Sequence, residues 1–269
     1  MVGAEYSFNH FTPSDFNETP GETTPKGEID VQSFAAYALY GLNDKANLIL
    51  IVPFEHWRQE VNVYNNHMRT GSISGIGDVT VGARWLIKNN TESMGHRFFA
   101  GVNISIPTGD SFDVTLFTPE AVSKPHNHFA IGKGHFTSSV NLEWWHRLEM
   151  PILTGVTGSY SFPLNESDVG LKSGKKFSMS MQATVLKTFI LNGYPYFRLN
   201  FWHFSPDLWK GNEGKNSGGR FIDGSVAFVF NLSESLSLVS LADFPLWRNL
   251  EGNQLDNFIF SLSFRKMLR

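Results

Sequence analysis

Residues 2 to 9 alternate strictly: Val2, Ala4, Tyr6 and Phe8 are apolar, and Gly3, Glu5, Ser7 and Asn9 lie between them. Successive side chains of a strand point to opposite faces, so this segment predicts a strand with one apolar and one polar side. The pattern returns at Val79, Val81, Ala83, Trp85 and Ile87, with Thr80, Gly82, Arg84 and Leu86 opposite. It returns at Phe98, Ala100, Val102, Ile104 and Ile106, with Arg97, Phe99, Gly101, Asn103 and Ser105 between them, and again at Phe258, Phe260, Leu262 and Phe264. No window shows an apolar stripe at helical spacing over three turns. Period two predicts about twelve strands. They fall near 2–10, 28–40, 45–57, 75–88, 96–106, 136–148, 152–164, 175–188, 194–203, 220–231, 235–246 and 254–266. At about 10–13 residues they exceed the ~5–6 usual in globular sheets and match the ~9–11 a tilted strand needs to cross a bilayer.

The connections alternate in length. Gly41–Asp44, Glu149–Pro151 and Leu232–Glu234 are tight, whereas Phe11–Gly27, Arg58–Ser74, Pro107–His135 and Phe204–Gly219 are long. Short turns at one end, long loops at the other and an even strand count are the pattern of outer-membrane barrels. Both termini then lie on the short-turn, periplasmic side. No linker interrupts the series, which predicts one all-β domain over 1–269, a transmembrane antiparallel up-and-down barrel. Rings at the strand ends would form the two interfacial belts. Tyr40, Trp85, Phe98, Trp144, Tyr196 and Phe230 fall near the short turns, and Phe8, Trp57, Phe162, Phe201, Phe244 and Trp247 near the long loops.

Composition sharpens this picture. Aromatic residues make up 14% of the chain, with 24 Phe, and charged residues only 17%, yet the mean hydropathy is −0.18. Alternation reconciles the two, because apolar and polar rows cancel in the average. The longest apolar run, Leu48 to Phe54, is far shorter than the ~20 residues of a spanning helix. The absence of Cys excludes disulfides, thiolate metal sites and Cys nucleophiles. A net charge of −3 gives no reason to expect nucleic acid. Met1–His10 has neither a basic start nor an apolar core, as expected either of a cytosolic protein or of a mature form lacking its signal peptide.

If the apolar rows face lipid, the polar rows face a lumen. Those rows offer Glu5, Asn9, Asp30, Gln32, Arg84, Arg97 and Asn103, then Asn141, Glu143, Arg147, Gln182, Arg198, Asn200 and Asp223. Such mixed charges suit a channel lining that orients a solute. They suit equally a plug of ion pairs that fills a narrow barrel. Two other chemistries compete. His126, His128 and His135, with Asp110 and Asp113, sit in the longest loop and could in principle chelate a metal. His135 and Ser138 could be a base and a nucleophile, but a spacing of three puts them on opposite faces of a strand. No metal and no cofactor is expected.

Gly75-Ile-Gly77-Asp78 opens one strand, and Pro107-Thr108-Gly109-Asp110 closes the next. Gly132-Lys-Gly134, Gly158-Ser-Tyr160-Ser161 and Pro245-Leu-Trp-Arg-Asn-Leu-Glu-Gly252 follow in order. In this succession the chain, over about residues 70–266, resembles the outer-membrane family of meta-pathway phenol-degradation transporters. The resemblance implies an outer-membrane barrel that passes small aromatic or apolar molecules, and it supplies no catalytic or binding residues. One departure is the end of the chain, where Phe264 is followed by Arg-Lys-Met-Leu-Arg269 rather than closing on a ring. The expected function is that of a porin-like channel in the outer membrane of a Gram-negative bacterium. It would contact outer-membrane lipids and a small solute that crosses by passive diffusion. A plugged structural barrel in an envelope assembly, an outer-membrane lipid hydrolase and a soluble small-molecule-binding barrel are the alternatives.

Overall fold

The computed structural model describes residues 1–12, 27–63, 67–90, 95–110, 131–188, 193–214, 217–251 and 256–268. Their elements are strands. The first half of the chain forms β1 (Val2–Thr12), β2 (Gly27–Gly41), β3 (Ala46–Val63), β4 (His67–Ile76), β5 (Val79–Asn90), β6 (His96–Ile106) and β7 (Thr137–Arg147). The second half forms β8 (Ile152–Pro163), β9 (Leu171–Lys172), β10 (Lys176–Val185), β11 (Gly193–Phe204), β12 (Leu208–Trp209) and β13 (Asn212–Glu213). It ends with β14 (Gly219–Asn231), β15 (Leu236–Leu250) and β16 (Asp256–Lys266). Among the described residues no helix is long and apolar enough to cross a membrane.

All pairings between neighbours in the large sheet are antiparallel, and β16 returns to β1 in a continuous register from Val2↔Lys266 to Thr12↔Asp256. The sheet is therefore closed. β3 pairs with β5 up to Ile51↔Thr80 and with β4 from Phe54↔Ile76 onward, so β4 and β5 form one barrel strand broken at Gly77–Asp78. With that pair taken as one, the barrel has twelve antiparallel strands. The predicted windows coincide with them. The difference is at 58–74, expected as a loop, where β3 and β4 continue as a hairpin. In the sequence Gln59 and Glu60 are consecutive polar residues, so hydropathy carries no alternation to read there. The tight turns are closed by short side chains: Asn43 Oδ1 accepts from Lys45 N and Ala46 N, both at 2.9 Å, and Ser233 Oγ accepts from Leu236 N at 3.1 Å.

Curvature identifies the inner face. Neighbouring strands lie about 4.8 Å apart, so side chains two strands apart meet only on the concave side. Arg84 on β5 reaches Glu143 on β7 at 2.5 Å, and Arg198 on β11 reaches Asp243 on β15 at 3.2 Å. Tyr37 on β2 reaches Ser263 on β16 at 3.3 Å, arching over Gly3 of β1. A Cβ on Gly3 would collide with the Tyr37 ring. The polar rows therefore line the interior. The opposite rows, including Phe34, Leu50, Val81, Val102, Leu142, Met181, Leu199 and Phe264, stand exposed on the outside. An apolar exterior around a polar interior suits hydrocarbon and not water, which makes this a membrane barrel.

The ring belts hold with two corrections. Tyr40, Trp85, Phe98, Phe244 and Trp247 are exposed in the outward rows. Trp57 and Tyr196 point inward instead: the Trp57 indole donates to Glu55 at 2.7 Å, and the Tyr196 hydroxyl donates to Gln182 Oε1. Their rings sit at the expected height but on the polar side of the alternation.

A charge on the outer row should be costly and the same charge one residue away should not. Val102→Arg should lower unfolding free energy in lipid vesicles by about 2–4 kcal/mol. Denaturant titration checks this, with Asn103→Lys on the inner row as the comparison expected to lose less.

Candidate functional site

The interior of the barrel holds the polar chemistry. Glu5, Asn9, Arg84, Arg97, Asn103, Asn141, Glu143, Arg147, Gln182, Arg198, Asn200 and Asp223 all fall on inner rows by register. Asp30 and Gln32 do not, which corrects the sequence expectation. They align with His10 and Phe8 and share the face of Phe34, while Val31 between them is buried and points inward. The outer face turns polar beyond the apolar band. There Asp30 pairs with His10 at 2.8 Å instead of facing the lumen. Hydropathy is inverted at that strand end, and a polar row no longer marks the inside.

The inner residues separate into two walls. On β11, β14 and β15 they are tied together. Asp243 pairs with Arg198 and accepts from Ser225, Asp223 pairs with Arg248 at 2.8 Å, and Asn200 is buried between Ser180 and Ser225. Each carboxylate there has a cation, so this wall is cross-linked and close to neutral. Asp243, Ser225 and Arg248 were not predicted. Asp243 follows Val239 and Leu241 on the inner row, so its apolar neighbours hide it. On β1, the Oδ1 of Asn9 is buried with no hydrogen-bond partner among the described residues.

The wall of β5 to β8 is open. A cavity of 580 Å³ at the short-turn end is lined by Arg84, Arg97, Trp145 and Arg147. The Trp145 ring lies over Gly155, where a Cβ would come within 2.7 Å of it. A second cavity of 270 Å³ is lined by Arg84, Asn103, Asn141 and Glu143, and a third of 460 Å³ by Asn103, Thr80, Ser105, Thr137, Lys133 and Lys176. Arg84 borders the first two cavities and Asn103 the last two. The three therefore lie end to end along the barrel. Arg84 is held at its position by Glu143 and by the Phe99 ring, 3.7 Å below its guanidinium.

The long-loop end is capped. Asp78, at the break between β4 and β5, accepts from Gly109 N at 3.2 Å and from Lys133 N at 3.0 Å. Thr108 donates to Gly77 O at 2.8 Å and accepts from Val79 N at 2.9 Å. Gly132 and Gly109 approach so closely that a Cβ on either would strike the other's backbone. The Gly-x-Gly-Asp, Pro-Thr-Gly-Asp and Gly-Lys-Gly segments thus form one knot, which turns residues 131–135 into the barrel mouth. Beside it, β9, β12 and β13 form a small sheet over the fully buried Leu171. Two-residue strands leave no period in the sequence, and this sheet was not predicted. Asp207 ties the sheet to the barrel by accepting from Gly174 N at 2.6 Å.

His135 is fully buried in the cap. Its Nε2 accepts from Ser173 N at 3.3 Å and contacts Ser173 Oγ at 2.8 Å, which leaves the Nδ1 proton facing Phe136 O at 3.3 Å. Burial pushes its pKa down, so the ring is neutral near pH 7. The partner of His135 is Ser173 and not Ser138, whose hydroxyl faces Asn103 O at 3.4 Å. The arrangement latches two loops. His126, His128 and Asp113 lie outside the described residues, and among the described residues no three His, Asp or Glu side chains could hold a metal.

A barrel whose Gly-x-Gly-Asp and Pro-Thr-Gly segments pin a loop into its mouth can be compared with known proteins. The chain belongs to the family described as "Putative MetA-pathway of phenol degradation". That family's model matches residues 14–239. The fold is similar to the COG4313 outer membrane channel from Pseudomonas putida F1, with a TM-score of 0.71 at 13% identity over 99% of this chain and 95% of that one. It is also similar to the transport unit of the autotransporter AIDA-I from Escherichia coli, with a TM-score of 0.53 at 9% identity over 99% of this chain and 90% of that one. No curated protein matches the sequence.

Two outcomes follow for the cap. Asp78→Ala removes an ionised acceptor of two backbone N–H groups, each worth about 1.5–3 kcal/mol. Amide exchange at Gly109 and Lys133 should accelerate while exchange in the barrel strands does not. The His135 latch is complete above the ordinary imidazole range and weakens as pH falls through it, because the unfolded ring takes up a proton that the buried ring resists. Protection at Phe136 and Ser173, measured against the intrinsic exchange rate at each pH, should fall between neutral and mildly acidic pH, and His135→Gln should flatten that dependence.

Proposed function

We propose that this protein is a non-enzymatic outer-membrane channel through which small solutes cross by passive diffusion. Membership of the family and the likeness to outer-membrane barrels support the location. The observation that carries the function is the file of three polar cavities along β5 to β8, joined at Arg84 and Asn103. The opposite wall is cross-linked, so passage runs along one side of the lumen. The family description names phenol degradation, which favours a small aromatic solute. The phenyl and indole faces of Phe99 and Trp145 at the short-turn end of the file suit such a ring.

The cap favours a second reading, a plugged barrel that stiffens the envelope. The His135 latch and the small sheet over Leu171 cover the long-loop end. Planar-bilayer recording separates the two. A channel gives discrete conductance steps, and Asp78→Ala, which frees the cap, should increase step size or open time. Silence from the folded wild type and from the variant would favour the plug.

A further inference from the structure

Charge is segregated within this barrel. The whole chain is acidic, with a net charge of −3. Among the described residues the three cavities nonetheless carry five cationic side chains, Arg84, Arg97, Arg147, Lys133 and Lys176, against two carboxylates, Glu143 and Asp207. Glu143 is neutralised by Arg84 at 2.5 Å. Asp207 is engaged by Gly174 N. At one end Arg97 and Arg147 stand exposed in a cavity that no carboxylate among the described residues lines. At the other, the Lys176 ammonium lies 4.5 Å from the centre of the Trp202 ring and 4.8 Å from that of the Phe204 ring, with no carboxylate among the described residues within salt-bridge distance. Between the ends the lining is Asn103, Asn141 and the hydroxyls of Thr80, Ser105, Thr137, Ser139 and Ser161, which can donate to an anion without charge. On the rest of the inner face Asp223 and Asp243 are paired with Arg248 and Arg198, Glu55 accepts from Trp57, and Glu5 on β1 lies one inner position from the Gly3↔Arg265 pair, so its charge is set against a cation of the same face.

We propose that the file is an anion-selective path, with basic groups at both mouths and neutral donors between, and that its solutes are small organic anions such as aromatic carboxylates. Charges that line a narrow, partly dehydrated lumen act on an ion more strongly than charges on a wet surface, because low-dielectric walls focus their field. The inference rests on the channel reading. It adds the sign of the charge that passes.

The test is the reversal potential of the full chain in a planar bilayer under a potassium chloride gradient. The sign should show chloride crossing several-fold faster than potassium. Under a gradient of each salt, benzenesulfonate should permeate better than benzyltrimethylammonium, an aromatic ion of similar size and opposite charge. The pairs Lys133→Gln with Lys176→Gln, and Arg97→Gln with Arg147→Gln, should each reduce the preference for chloride, and all four together should abolish it. Folding of each variant is checked by its faster migration on an unheated gel. Lys133→Glu alone, in a loop outside the strands, covers the case in which the pairs do not fold. Cation selectivity, no selectivity, or selectivity unmoved in every folded variant would overturn the proposal while leaving the channel standing. No conductance from folded protein would overturn the channel and this inference together.

Discussion

A backbone amide in hydrocarbon has no water to bond, so each must find a partner within the sheet. That constraint shapes the rest of the molecule. β16 returns to β1 along an unbroken register, and the barrel has no free edge in the membrane. The thickness of the hydrocarbon sets the length of the strands, and closure with every pairing antiparallel requires an even number of them. It also divides every strand into two rows with opposite surroundings. Phe98, Val102 and Ile104 can be exposed because lipid covers them, and Arg84, Arg97 and Asn103 can be charged or polar because they face the interior.

Once the sheet is curved, the inner row becomes crowded. Side chains two strands apart come within contact, and small residues between them decide what fits. Tyr37 passes over Gly3 and Trp145 lies over Gly155. Mutual neutralisation on the β11–β15 wall fixes that side, with Arg198–Asp243 and Arg248–Asp223 as its ties. The space that remains lies along β5 to β8. The loop knot at Asp78 joins the same system, since it turns Lys133 into the third cavity.

The barrel was legible in the sequence because its defining property, alternation, is a local one. Strand positions, closure and most inner residues follow from period two. Legibility failed where surroundings change along a strand. Asp30 and Gln32 continue the lipid-facing row past the apolar band, so polarity there marks headgroups or water and not the lumen. Trp57 and Tyr196 have the bulk of belt residues but hydrogen-bond inward. Asp243 is hidden by apolar inner neighbours, and Lys176 is the first residue of its strand, where a cation looks like a loop charge. The Gly-x-Gly-Asp and Pro-Thr-Gly segments were legible as motifs. Their meeting at one knot was not, because it depends on a contact between the start of one strand and the end of the next.

One face of these strands meets lipid and the other the polar interior of the barrel. The chain has no Cys, so single cysteines can carry nitroxide labels without background. Power-saturation EPR on labels at Val81, Val102 and Val140, and at Thr80, Asn103 and Asn141, in lipid vesicles measures contact with oxygen and with a water-soluble nickel chelate. The first set should be accessible to oxygen and shielded from the chelate, and the second set the reverse. Equal accessibility in the two sets, or chelate contact at Val102 with none at Asn103, would contradict that division.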